Sequence, residues 1–80
     1  MDKKEIEAKV IAVVSQVLGV DEDKISLDSR FVEDLGAESA QSLELVAGFE
    51  EAFDIEMEED AALKVKTVAK AVEFIEKYLK

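Results

Sequence analysis

The chain has no cysteine, no histidine and no proline among its 80 residues, and only three glycines. Lack of cysteine excludes a disulfide framework, and lack of both cysteine and histidine removes the commonest transition-metal ligands. It also removes the usual base that activates a serine, and no Ser-Lys spacing offers a substitute, so the sequence reads as non-catalytic. Neither a phosphate-cradling glycine motif nor a dinucleotide fingerprint is present. No apolar run approaches a membrane span, and Met1-Asp2-Lys3-Lys4-Glu5 lacks the apolar stretch of a signal peptide, which points to a cytoplasmic protein.

What is present is acid and helix-forming residues. Twenty Asp and Glu against ten Lys and Arg give a formal net charge of −10, which repels nucleic acid and anionic membranes and favours basic protein patches as partners. Eighty residues suit one domain with one core, and abundant Ala, Val, Leu, Glu and Lys favour helix over sheet. The expectation is an all-α four-helix bundle over residues 1–80, with three longer helices, a short third one and a long loop between the first two.

Asp2 with Glu5 resembles a capping box, and Ile6, Val10, Val13, Val14, Val17 and Leu18 recur behind it at helical spacing, predicting a first helix from Lys3 to Leu18. Gly19 is its left-handed stop, with Val20 folding back. From Asp21 to Ala37 helical periodicity lapses, and Ile25, Leu27, Phe31, Val32 and Leu35 are read as anchors of an ordered loop. Asp21, Asp23 and Asp28 fail the calcium-loop pattern because Ile25 stands at its fifth position and the required glycine is missing. Weak divalent-cation binding to the acidic surface stays open, but no metal site is assigned.

A second helix is predicted over Ser39–Phe53, with Leu43, Val46, Phe49 and Phe53 inward and Glu44, Glu50, Glu51 and Asp54 outward. Gly48 inside it costs about 1 kcal/mol relative to alanine and points to close packing or to a chain bound nearby, with plain packing the favoured reading. A short helix around Glu59–Lys64, anchored by Leu63, follows. The last helix is capped by Thr67 and runs to about Tyr78, on the repeat of Val68, Val72, Ile75 and Leu79, with Phe74 and Tyr78 one turn apart and Lys77 and Lys80 at its negative end.

The stretch Asp34-Leu35-Gly36-Ala37-Glu38-Ser39, followed by Glu44-Leu45-Val46, places a serine at a helix N-terminus, where free N–H groups and the helix dipole favour a phosphate ester. At these residues the chain resembles the acyl carrier proteins, whose usual signature is Asp-Leu-Gly-Ala/x-Asp-Ser-Leu with Glu-Leu-Val five residues beyond the serine. Leu18-Gly19-Val20, Phe31-Val32-Glu33-Asp34, Glu50-Glu51 before Phe53 and the Thr67-capped last helix extend the resemblance over nearly the whole chain. It departs at Glu38 for the usual aspartate, at Ala40 for the usual leucine, at Gln41 where many carriers have an acid, and in lacking proline after Met57.

The resemblance implies that Ser39 carries 4′-phosphopantetheine, attached from coenzyme A by a phosphopantetheinyl transferase, and that acyl groups ride on its thiol as thioesters in fatty acid, lipid or polyketide-type biosynthesis. It further implies a monomer docking acyl-transferring or acyl-modifying enzymes with basic patches, through Glu38, Glu44, Glu50, Glu51 and Met57. Acyl chains of this family can also retreat between the helices. Ser42 is a rival attachment residue, and Ser39 as an ordinary cap of an unmodified acidic adaptor is the alternative reading. Salt or Mg²⁺ is expected to raise the melting temperature by relieving repulsion among the acids; an unchanged Tm would show that they are already compensated.

Overall fold

The computed structural model describes residues 2–79, and the charge assigned to Lys80 lies outside them. The described residues form α1 (Lys3–Leu18), a 3₁₀ turn at Glu22–Lys24, α2 (Ser39–Phe53), α3 (Glu59–Ala62) and α4 (Val68–Leu79). An isolated bridge between Arg30 and Thr67 is their one β-type pairing. None of these helices is long and apolar enough to cross a membrane.

Helix α1 begins and ends where the pattern puts it. The Asp2 carboxylate accepts the Lys4 N–H at 3.0 Å, satisfying one of the donors a helix start leaves unpaired. The full box with Glu5 is not formed, because the short aspartate closes onto the second helical residue rather than the third. Gly19 adopts φ 67° and donates to the Ser15 carbonyl, a left-handed cap that a Cβ would strain. Val20 folds back against the core as expected.

Helices α2 and α4 both pack on α1 and only sparsely on each other. Ile6, Val10 and Val14 of α1 are fully buried between them, joined by Val68, Val72 and Ile75 of α4. On α2 the inward stripe is Leu45, Val46, Phe49 and Phe53. Leu43 does not belong to it: it is 47% exposed, whereas Leu45 is 3% exposed. Val46 lies at one edge of the stripe, and three residues back the helix has turned Leu43 roughly 100° away from the stripe's centre.

Close approach of α1 and α2 occurs at Gly48. A Cβ there would lie 2.8 Å from Val13 Cγ1 and 3.7 Å from Val17 Cγ2, so this glycine serves packing. Further along, the Lys9 ammonium reaches the Ala52 carbonyl at 3.5 Å and sits 5.6 Å from the centre of the Phe53 ring. A cation at the C-terminal end of α2 complements the helix dipole.

The long loop is ordered by backbone hydrogen bonds to the start of α4. Val68 N–H donates to the Ser29 carbonyl and Ala69 N–H to the Leu27 carbonyl, while Phe31 N–H donates to the Lys66 carbonyl. Thr67 Oγ1 accepts the Lys70 N–H at 3.2 Å, completing the cap. Ile25, Phe31 and Leu35 anchor the loop as the pattern predicts, but Leu27 and Val32 are 38% and 52% exposed. Their places inside go to Ala37 and to Ser29, whose Oγ accepts the Ser26 N–H at 2.9 Å. Apolar spacing gave no sign of either, since one is small and the other polar.

Helix α3 is shorter than predicted. After Ala62 the bonds tighten from four-residue to three-residue spacing, with Lys64 N–H on Ala61 and Val65 N–H on Ala62, so the segment runs out as a 3₁₀ turn. Ala62 is its buried anchor and Leu63 is half-buried. Replacing Gly48 with Ala should gain helix propensity yet destabilise by about 1 kcal/mol net, because Val13 is stiff at χ1 and cannot yield. Denaturant unfolding checks this, and the cost should largely vanish in the Val13→Ala background.

Candidate functional site

Helix α2 starts from a clasped turn. Gly36 takes φ 71°, its N–H bonds the Val32 carbonyl, and Ala37 N–H bonds the Phe31 carbonyl at 2.8 Å. Ala37 is buried, and the chain then emerges so that Glu38, Ser39 and Ala40 are exposed. Arg30 closes the turn: its backbone N–H and Nε both donate to Asp34 Oδ2, at 2.8 and 3.1 Å, and Nη2 donates to Oδ1 at 3.1 Å. Glu33 lies 3.6 Å from the same guanidinium. The side-chain hydrogen bond from Arg30, aided by its backbone N–H, holds the Asp34 carboxyl below the usual carboxylate range.

Glu38, not Ser39, is the N-cap residue. It is extended at φ −93° and ψ 166°, and its N–H is taken by Gln41 Oε1 at 2.9 Å. The first backbone bond of the helix runs from Ser42 N–H to the Glu38 carbonyl at 3.0 Å. Ser39 is therefore the first helical residue, exposed, and outside this capping network. N–H groups in that first turn have no intrahelical acceptor, and they favour an anion beside them. No acid lies within the first turn of α2, and the neutral Gln41 fills the reciprocal position without adding charge next to Ser39.

Ser42 sits one turn further on the same side of α2, because residues three apart are neighbours on a helix. It is half-buried, with Oγ 3.5 Å from the Glu38 carbonyl, and it lines a cavity of about 280 Å³. The cavity occupies the gap that α2 and α4 leave by packing on α1 instead of on each other. Phe31 of the loop, Val46 and Phe49 of α2, Met57, and Phe74 and Ile75 of α4 form its apolar walls, while Glu33, Ser42 and Lys66 add polar groups.

A family model described as a phosphopantetheine attachment site matches residues 8–75. The chain is 47% identical over 77 residues to an acyl carrier protein of Akkermansia muciniphila, covering 96% of each. It is 44% identical over 75 residues to an acyl carrier protein of Guillardia theta, covering 94% of this chain and 93% of that one. To an acyl carrier protein of Prochlorococcus marinus strain MIT 9515 it is 47% identical over 76 residues, covering 95% of both. The chain belongs to the acyl carrier protein family. It is thus a non-catalytic carrier with covalently attached 4′-phosphopantetheine, served by a phosphopantetheinyl transferase and by acyl-handling enzymes. The unmodified adaptor loses its support.

Against that identity the residues singled out in the sequence fall into two groups. Glu38, Glu44 and Glu51 are exposed around the start and outer face of α2. Glu50 and Met57 are not surface groups of this kind. Glu50 is half-buried and its Oε2 accepts the Met57 N–H at 2.8 Å, fastening the connection after α2. Met57 is only 9% exposed and faces the cavity. Helical spacing sets which residues share a face, but whether the following loop folds over that face is a tertiary matter. The sequence reading missed Leu43, whose exposed side chain beside Glu44 adds an apolar contact to the acidic face, and it missed the cavity role of Ser42. The Ala40 departure falls on an exposed position, so the shortened side chain leaves no void in the core.

The clasp carries a pH signature. Because folding lowers the Asp34 pKa, its stabilisation is present above the unfolded carboxylate range and is lost as pH falls through the lowered value. Acid-unfolding profiles of the wild type and Asp34→Asn should therefore differ at neutral pH and converge on acidification; parallel profiles would show that the pair adds nothing.

Proposed function

We propose that Ser39 is the attachment residue and that the chain acts as a monomeric, cytoplasmic, single-domain carrier of acyl intermediates in fatty acid, lipid or polyketide-type biosynthesis. The observation that carries this reading is the exposed Ser39 hydroxyl as the first residue of α2, on the same side of the helix as the cavity lined by Ser42. A phosphodiester fits there: the hydroxyl is accessible to a transferase, the first-turn N–H groups face the anion, and the nearest helical position that could hold an acid is Gln41.

When attached, the group supplies a flexible thiol that holds cargo as a thioester, the only thiol on a chain that has no cysteine. The protein's own residues do the rest. Glu44 and Glu51 offer charge to basic enzyme patches, and Leu43 offers an apolar anchor beside Glu44, a combination suited to steering with modest affinity. The walls formed by Phe31, Val46, Phe49 and Met57 exclude water from a stored apolar chain. The cavity of about 280 Å³ is large enough to hold part of an apolar chain. Met57, unbranched and polarizable, adapts that wall to cargo of different length.

Incubation with coenzyme A and a broad-specificity phosphopantetheinyl transferase should add the mass of one phosphopantetheine, as read by intact-mass spectrometry. Ser39→Ala should abolish the gain and Ser42→Ala should retain it. Loss of the gain only in Ser42→Ala would move the attachment site, and no gain in any folded sample would remove the carrier reading.

A further inference from the structure

The chain's charge is divided along its length. Residues 21–60 hold fifteen acids and two bases, whereas residues 64–79 hold Lys64, Lys66, Lys70 and Lys77 against Glu73 and Glu76. All four of these lysines line one shallow groove beside α4, together with a single acid, Glu73, and the apolar Phe74. Lys70 lies 3.9 Å from Glu73, both exposed; among the described residues Lys64, Lys66 and Lys77 have no carboxylate within ion-pair distance.

The protein is 30 × 25 × 18 Å, whereas charges in physiological salt are screened over about 8 Å. The groove therefore presents a local positive field that the acidic α2 face does not cancel. Phe74 is held by an edge-to-face contact with Tyr78, centroids 5.3 Å apart, and the Tyr78 hydroxyl is in turn fixed by the Glu58 N–H at 3.1 Å. Val65, Lys66 and Phe74 line both the groove and the acyl cavity, so whatever occupies the groove abuts the wall of the cargo site.

We infer that this groove is a second docking surface, which takes a carboxylate-rich segment with an apolar side chain from the acyl-handling enzymes that meet the acidic face of α2. The inference rests on the carrier reading. An extended groove with four lysines around one apolar ring matches an acidic segment carrying an apolar side chain more closely than it matches the flat anionic surface of a membrane. A partner with a basic patch for α2 and an acidic segment for α4 is attracted at both points. Two contacts of opposite sign fix its orientation, where one acidic patch would leave it free to rotate.

The test is an amide chemical-shift titration of the isotopically labelled, phosphopantetheine-loaded chain with an acetylated peptide of glutamate, leucine and alanine at low salt. A peptide with glutamine for glutamate is the control. Shifts should concentrate at residues 61–67 and 70–77, be lost with the glutamine peptide, and weaken at least fivefold in the Lys70→Gln/Lys77→Gln variant, whose positions line the groove and not the cavity. Loading of that variant by the transferase should be unchanged, which separates failure of the groove from failure of the carrier reading. Absent shifts, shifts elsewhere, or equal shifts with both peptides would overturn the proposal. So would concentration-dependent shifts of the same residues without peptide, which assign the groove to self-association, or lysine-dependent co-sedimentation with phosphatidylglycerol vesicles, which assigns it to lipid.

Discussion

The long loop must satisfy its own polar backbone, and the way it does so shapes everything near the site. An irregular segment of this length packed on a bundle would bury unpaired N–H and C=O groups unless they found partners. Here they find them at the start of α4, whose own first N–H groups lack intrahelical acceptors. Ser29 and Leu27 carbonyls accept from Val68 and Ala69, and Lys66 accepts from Phe31. One set of bonds thus caps α4 and fixes the loop. The Phe31 carbonyl then receives the Ala37 N–H, two residues before Ser39. The Phe31 ring turns inward to the cavity wall.

A small domain has little core to spare, and this one divides its packing unevenly. α1 packs against both α2 and α4, with Gly48 allowing the backbone of α2 to come close to Val13 and Val17. The other side of α2 is left loosely packed against α4. A cavity forfeits dispersion contacts along its lining, and one of about 280 Å³ therefore lowers stability on that side. Packing is tight on one side of α2 and open on the other.

Electrostatics follow the same division of labour. The exposed face of α2 combines Glu44 and Glu51 with Leu43, while Glu50 is withdrawn to hold the Met57 N–H. The acids of this helix are therefore not equally exposed. Around Ser39 the nearest acid is the N-cap Glu38, while Gln41 stands uncharged in the first turn and Asp34 is engaged by Arg30. The lysines gather beside α4, so a net charge of −10 describes the molecule poorly at the distances over which a docked protein feels it.

The sequence by itself determined the helices that have strong local signals: α1 between Asp2 and Gly19, α2 from Ser39 to Phe53, and α4 behind Thr67. Caps, a left-handed glycine and a 3.6-residue apolar period act within a few residues of chain, so they can be read without knowing the fold. The run from Asp34 to Ser39 was legible in another way, through its resemblance to the acyl carrier signature, and membership of that family is shown. Tertiary structure alone decided that Leu43 faces solvent while Leu45 is buried, and that Met57 and Glu50 turn inward. It also decided that Ala37 and Ser29, not Leu27 and Val32, complete the loop's packing. Each of these depends on which distant segment covers a residue, and a cavity between two helices that share a third as their support exists only once all three are in place.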